Sequence, residues 1–243
     1  VDAGVLRHAQ RVWPSDCNDA LTRIGIQCGL LRFLPPEVIG AHIGPAVSHT
    51  TGRAHSLAFR AIVALYGHLG VEADLRALAP EARDELAHWI AVHKRWRDVV
   101  HHGVLRQGED RGTTWLQARA QDAGAALVAV YRRAEDIARH ALPLRIPGLD
   151  PTRRYRVRAL HLPRMRHHIG AAPVIDAMEA GTLVSSGAEL RDHGLPLPVL
   201  PPESAALVAL TAVDAPDARD AADATDAVAA TTAREPSPRG ERP

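Results

Sequence analysis

The run Trp13-Pro14-Ser15-Asp16-Cys17-Asn18-Asp19-Ala20-Leu21-Thr22-Arg23-Ile24-Gly25-Ile26-Gln27 joins a polar, turn-prone segment to a helical one. Leu21, Ile24, Cys28 and Leu31 recur at helical spacing and predict a helix over about residues 18–33. Ser15 or Asp16 is placed to cap it, since a short polar side chain ahead of a helix can accept from the free N–H groups of its first turn. By itself, Asp16 reads as a cap.

Downstream, helical and extended segments alternate. Val38–Ile43 reads as a buried strand after Pro35-Pro36, and 54–68 as a helix with Leu57, Ala61, Ile62 and Leu65 on one face. Gly70 is placed to end that helix, and VEADL (71–75) reads as a short strand. Pro80 opens a long helix in the one turn where proline is tolerated. Its apolar stripe is Leu86, Trp89, Ile90, His93, Trp96 and Val100, and Gly103 closes it. This α/β alternation implies a parallel sheet or barrel. Two strands cannot close a barrel, and the chain opens without Met or a signal peptide, so a longer protein is expected.

From Val104 to Val213 the pattern changes. WLQARAQ, AALVAVYRR, ALPLRIPG, RRYRVRAL and PESAALVALTA are short runs separated by Gly, Pro and Asp, with PGLDP (147–151) as a strong turn. They predict an antiparallel β-sandwich. Residues 214–243 hold Ala, Asp, Thr, Pro and Arg without an aromatic, too little apolar surface to offset ordering entropy, and are expected to be disordered.

A net charge of +1 from 29 basic and 28 acidic residues excludes a generic nucleic-acid or membrane-surface binder. Lys94 is the only lysine. No apolar run approaches the roughly 18–20 residues of a membrane helix. Cys17 and Cys28 make neither a disulfide framework nor a zinc site, and a cytoplasmic protein is expected.

The segment 13–27 resembles the acid/base segment of glycoside hydrolase family 36, the bacterial α-galactosidases, whose pattern is Trp-x-Ser-Asp-x-x-Asp-Ala followed by Arg and Ile-Gln. Trp13, Ser15, Asp16, Asp19, Ala20, Arg23, Ile26 and Gln27 match. LPPEVIGAHIGP (34–45), SHTTGR (48–53), FRAIVALYGHLGVEADL (59–75) and LPLPVLPPESAALVAL (195–210) match further family segments in order. The resemblance implies the last units of a (β/α)8 barrel over 1–103, a C-terminal β domain over 104–213 and a tail over 214–243. It implies retaining hydrolysis of terminal α-galactosides such as melibiose and raffinose, without a cofactor. Related α-N-acetylgalactosaminidase or transglycosylase chemistry, or non-catalytic carbohydrate binding, are the alternatives.

Asp16 matches the family's general acid/base. It would follow a strand end at 11–13, where barrel enzymes carry their catalytic groups. Retention needs a second carboxylate roughly 5–5.5 Å away on the other face of the sugar. Asp16 and Asp19 cannot be that pair, because one helix start reaches only one face. The family's nucleophile stands in a Lys-Trp-Asp strand motif that this sequence lacks. It is expected upstream, and the chain alone is expected to be inactive. Asp16 must also arrive protonated. A helix N-terminus opposes this, while the nucleophile's charge and partial burial favour it.

Trp13 and Asp19 are the candidate substrate-binding residues. Trp13 reads equally as a stacking platform for a sugar or as packing at a strand end. Asp19 and Arg23 read as a pair orienting the Asp16 loop, ahead of direct sugar contact. His42 and His49 are placed in a loop on the catalytic side, as structural histidines or at the pocket entrance. Fourteen histidines raise a metal site, but His101-His102 and His167-His168 lack the i, i+4 spacing or Cys partners of zinc sites, so no metal is expected. Arg153, Arg154, Arg156 and Arg158 read as the solvated face of a strand. The expected partner is an α-galactoside oligosaccharide, with self-association of the complete protein plausible.

Overall fold

The computed structural model describes residues 4–135, 143–163 and 172–213. Its first part is a run of parallel strand-to-helix units. Val12 bridges Ile39 in parallel and leads through a loop into α1 (Ala20–Leu30). A 3-10 turn at Pro36–Val38 feeds β1 (Gly40–Ile43), which is followed by α2 (Leu57–Ala64), β2 (His68–Val71) and α3 (Pro80–His102). β1 and β2 pair in parallel with Gly40 opposite His68 and Ile43 opposite Val71. Three adjacent parallel strand positions, each followed by a helix, therefore run in chain order.

The predicted helices and β1 are present, with differences that have physical reasons. α1 begins only at Ala20, because Asp19 takes the cap and the polar residues before it form the loop. α2 stops at Ala64, and the strand expected at 71–75 instead occupies 68–71. Gly70 lies inside β2 rather than closing a helix. The glycine that matters for the early turn is Gly67: a Cβ there would stand 2.8 Å from the Ala41 Cβ, so β1 and the α2–β2 connection pass in close contact. α3 matches its expected span, and Leu86, Trp89, Trp96 and Val100 are buried on its inner face.

Six strands follow: β3 (Val104–Asp110), β4 (Thr113–Arg119), β5 (Ala125–Arg132), β6 (Arg154–His161), β7 (Leu183–Ser186) and β8 (Ser204–Ala212). Every pairing is antiparallel, and the order is β3-β4-β5-β8-β6-β7. The antiparallel character expected of 104–213 is present, but the strands form one sheet. Its two covering layers, among the described residues, are helices and loops rather than a second sheet. β5 and β8 are buried on both faces, as a sheet covered twice requires. On one face Leu127, Ala129, Tyr131, Leu207 and Ala209 pack with α2 and α3. On the other, Val128, Val130, Val208 and Leu210 pack with Ile146, Leu149, Ile175, Met178 and Leu190. Ile175 and Met178 come from α4 (Ala172–Glu179) and Leu190 from α5 (Gly187–Asp192). The described part of the ALPLRIPG run, 143–148, contributes one bridge, Leu144 to Leu195, rather than a strand.

The parallel units and the sheet thus share a core, and buried tyrosines fasten them. Tyr66, just beyond α2, donates to Leu127 O at 2.9 Å, and Tyr131 of β5 donates to Ile62 O at 3.2 Å. Residues 214–243 and the His167-His168 pair lie outside the described residues.

Candidate active site

The site is built where the parallel strands end. Backbone register puts Gly40 and His42 on one side of β1, while Ala41 and Ile43 turn to the helices and join the main core. Trp13 leaves the Val12 strand position and lies across that first side. Its indole stacks on His42 with centroids 4.6 Å apart and planes 16° from parallel. A Cβ on Gly40 would stand 2.9 Å from the indole, so this glycine makes the room. Trp13 is packed on His42 through one face and remains 53% exposed.

Trp13 Nε1 donates to Asp16 Oδ1 at 3.1 Å. Asp16 is exposed in the loop between strand and helix, and it does not cap α1. That task belongs to Asp19, whose Oδ1 accepts from Thr22 N at 2.8 Å. The objection that a helix N-terminus holds Asp16 ionised therefore applies to Asp19 instead. Capping could not be assigned from sequence, because Ser15, Asp16, Asn18 and Asp19 are all competent caps and only the fold chooses among them.

Asp19 is fully buried. Its second oxygen accepts from Thr51 Oγ1 and, at 3.2 Å, from an Arg53 guanidinium nitrogen. Burial pushes its pKa up, but the hydrogen bonds from Thr51 and Thr22 and the Arg53 charge outweigh it and leave the pKa below the ordinary 3.8. Asp19 is thus committed to structure and offers no free oxygen to a sugar. The pairing expected between Asp19 and Arg23 is not formed.

Arg23 nevertheless orients the loop. Its side chain is buried and donates to Ser15 O at 3.0 Å and Cys17 O at 2.9 Å, the carbonyls on either side of Asp16. It also reaches Gly40 O at 3.3 Å, and its guanidinium carbon stands 5.7 Å from the Trp13 ring centre. Burial lowers its pKa, opposed by Cys17 and Glu72.

The SHTTGR segment supplies a second clamp. Val47 and Ala54 bridge antiparallel, and Gly52 adopts φ +75 at the turn, where a left-handed backbone suits glycine. Ser48 Oγ donates to Asn18 Oδ1 at 2.8 Å, and Asn18 Nδ2 meets His49 Nδ1 at 2.7 Å. With Thr51 and Arg53 on Asp19, the loop after β1 is zipped to the loop carrying Asp16. His49 lies in that loop as expected, whereas His42 is a buried member of β1. His42 Nε2 lies 2.6 Å from Glu72 Oε2, a residue that motif reading did not single out. Burial first, then the Arg23 charge, lowers the His42 pKa; Glu72 pulls it the other way.

Among the described residues, no group of three or more His, Cys, Asp or Glu side chains is placed to hold a metal ion, and no helix is long and apolar enough to cross a membrane. Cys17 and Cys28 are free thiols.

Two family models match the chain in order: one described as melibiase over residues 1–103, and one described as the glycosyl hydrolase family 36 C-terminal domain over 113–210. An α-galactosidase of Escherichia coli is 39% identical over 220 residues, which cover 86% of this chain and 30% of that protein. α-Galactosidase AgaA of Geobacillus stearothermophilus is 31% identical over 163 residues, covering 65% of this chain and 22% of that one. The crystal structure of the GH36 α-galactosidase AgaB from the same organism superposes with a TM-score of 0.74 at 28% identity, covering 87% of this chain and 27% of that one. The chain therefore spans 30% or less of the length of these relatives. Two successive family models, the ordered motifs around Asp16 and the shared fold agree: the chain belongs to glycoside hydrolase family 36.

Proposed function

We propose that this chain carries the acid/base half of a retaining α-galactosidase site. Its parallel units are then the closing part of a (β/α)8 barrel that sequence outside this chain completes. The observation that carries the reading is the contrast between two neighbouring aspartates. Asp19 is buried and fully engaged, while Asp16 is exposed at a strand's C-terminal end on a loop held by Arg23, Trp13 and the 47–54 turn. That arrangement suits a carboxyl that must meet a substrate in fixed geometry.

In the first step the Asp16 carboxyl gives its proton to the glycosidic oxygen as the bond to the anomeric carbon breaks. A second carboxylate, from outside this chain, attacks that carbon from the other face. In the second step the Asp16 carboxylate takes a proton from water as the water oxygen bonds to the anomeric carbon and the second carboxylate leaves it. Two inversions give retention. In this reading the exposed part of Trp13 stacks on the sugar, supported by its 53% exposure beside Asp16. Terminal α-galactosides are the proposed substrates; an AgaA variant of 27% identity has been solved with raffinose.

The test is a proton NMR time course of raffinose hydrolysis by the intact gene product. The α-anomer of galactose should appear first, and Asp16→Asn should lower the turnover by about 10²-fold or more. First appearance of the β-anomer, or full turnover by the variant, would overturn the proposal.

A further inference from the structure

We propose that Glu72, two strand positions away from Asp16, is a positioning residue that sets the geometry of the Asp16 carboxyl. The inference rests on the reading of Asp16 as the acid/base.

Two routes lead from Glu72 to Asp16. The first is a stack. Glu72 Oε2 stands 2.6 Å from His42 Nε2, the His42 ring lies flat against Trp13, and Trp13 Nε1 donates to Asp16 Oδ1 at 3.1 Å. The carboxylate stands against the imidazole edge, the imidazole lies flat against the indole, and the indole aims a donor at Asp16. The second route is electrostatic. Arg23 is buried and directs its donors to three carbonyl oxygens, two of which flank Asp16. A buried cation satisfied only by dipoles is costly unless an opposite charge lies near. Cys17 and, after it, Glu72 favour the charged form of Arg23. One carboxylate therefore steadies both side chains that hold the Asp16 loop.

The backbone prepares Glu72 for this. Its N–H donates to Ile43 O at 2.9 Å, extending the β1–β2 ladder one residue past β2. With His42 opposite Gly70, Glu72 comes two residues further on, on the same side of the sheet as His42. Its side chain is half exposed, so exchange to Gln asks little of the core.

The test uses the intact gene product and compares kcat/KM for raffinose, whose leaving group needs a proton, with that for p-nitrophenyl α-galactoside, whose leaving group does not. The ratio of the two is independent of how much enzyme is folded. General acid help is worth about 10²–10⁴-fold, so its partial loss in Glu72→Gln should lower the raffinose value about tenfold or more and the aryl value less than about threefold. Glu72→Asp, which keeps the charge, should recover part of the raffinose rate. Added to Asp16→Asn, Glu72→Gln should cause little further loss, because residues acting as one unit are not additive. Equal losses on both substrates, no loss, or full additivity would overturn the proposal. Asp16→Asn alone separates the two claims. If it splits the substrates and Glu72→Gln does not, only the role of Glu72 falls. If Asp16→Asn shows no split, the acid/base reading falls and takes the Glu72 proposal with it.

Discussion

Replacing Asp19 with alanine should cost far more than removing a surface acid. The carboxylate caps α1 through Thr22 N and accepts from Thr51 and Arg53 across the loop junction. Loss of an N-cap costs about 1 kcal/mol. Leaving the Thr51 hydroxyl and the Arg53 guanidinium without their acceptor adds about 1–3 kcal/mol. The Arg53 share is small, because that side chain is 44% exposed and solvent screens it. Asp19→Ala should therefore lose about 2–4 kcal/mol. Asp19→Asn keeps a competent cap and loses chiefly the charge facing Arg53, for about 1 kcal/mol. The pH dependence has a definite sign. The folded pKa of Asp19 is depressed, so its charge contributes stability above the unfolded value, and this is lost as pH falls through the folded one. The gap between wild type and Asp19→Ala should be full at pH 7 and should narrow below about pH 4. Urea unfolding of the intact gene product across this range measures it. A loss below about 0.5 kcal/mol at pH 7, the scale of an ordinary surface change, or a gap unchanged at pH 3, would refute the reasoning.

Two further outcomes follow from the same physics. Burial first, then His101, His68 and Arg97, lowers the pKa of His93 to about 4. The unfolded chain takes up a proton there sooner than the folded one, so stability should fall as pH drops from about 6.5 towards 4. His93→Gln should flatten the stability–pH curve in that window, and an unchanged slope would count against this. Gly103 joins α3 to β3, and an added Cβ would collide with Val99 O and Arg119 O. Since both neighbours are backbone, Gly103→Ala should cost about 1–3 kcal/mol or more; a thermal midpoint equal to wild type would show that the joint can yield.

Local signals were read well where one interaction decides the outcome. Pro80 and Gly103 bracket α3, and the Trp89–Trp96 stripe could only be its buried face. Period-2 and continuous apolar runs marked β4, β5, β6 and β8. What escaped was set by partners distant in sequence. Which of four polar residues would cap α1 depended on Thr51 and Arg53, some thirty residues on. The shift of β2 to His68–Val71 depended on the close approach of Gly67 to Ala41. The single sheet depended on strand pairing, which alternation cannot specify. β7, α4 and α5 are short, and their apolar residues are legible only against the sheet they cover. At the site, Asp16 is set apart in the sequence only by the motif around it. Glu72 is one residue of the VEADL run with nothing local to mark it, and it meets His42 only across the β1–β2 register.

In the proposed reaction Asp16 gives its proton to the departing group. This transfer is tested most directly by plotting log kcat/KM against leaving-group acidity for a series of aryl α-galactosides, with wild type and Asp16→Asn intact gene product. Wild type should show a shallow slope and the variant a steep one, with activity nearly spared at the most acidic phenols and lost by about 10²–10⁴-fold at the least acidic. Parallel lines, with the same loss at every leaving group, would contradict the proton transfer.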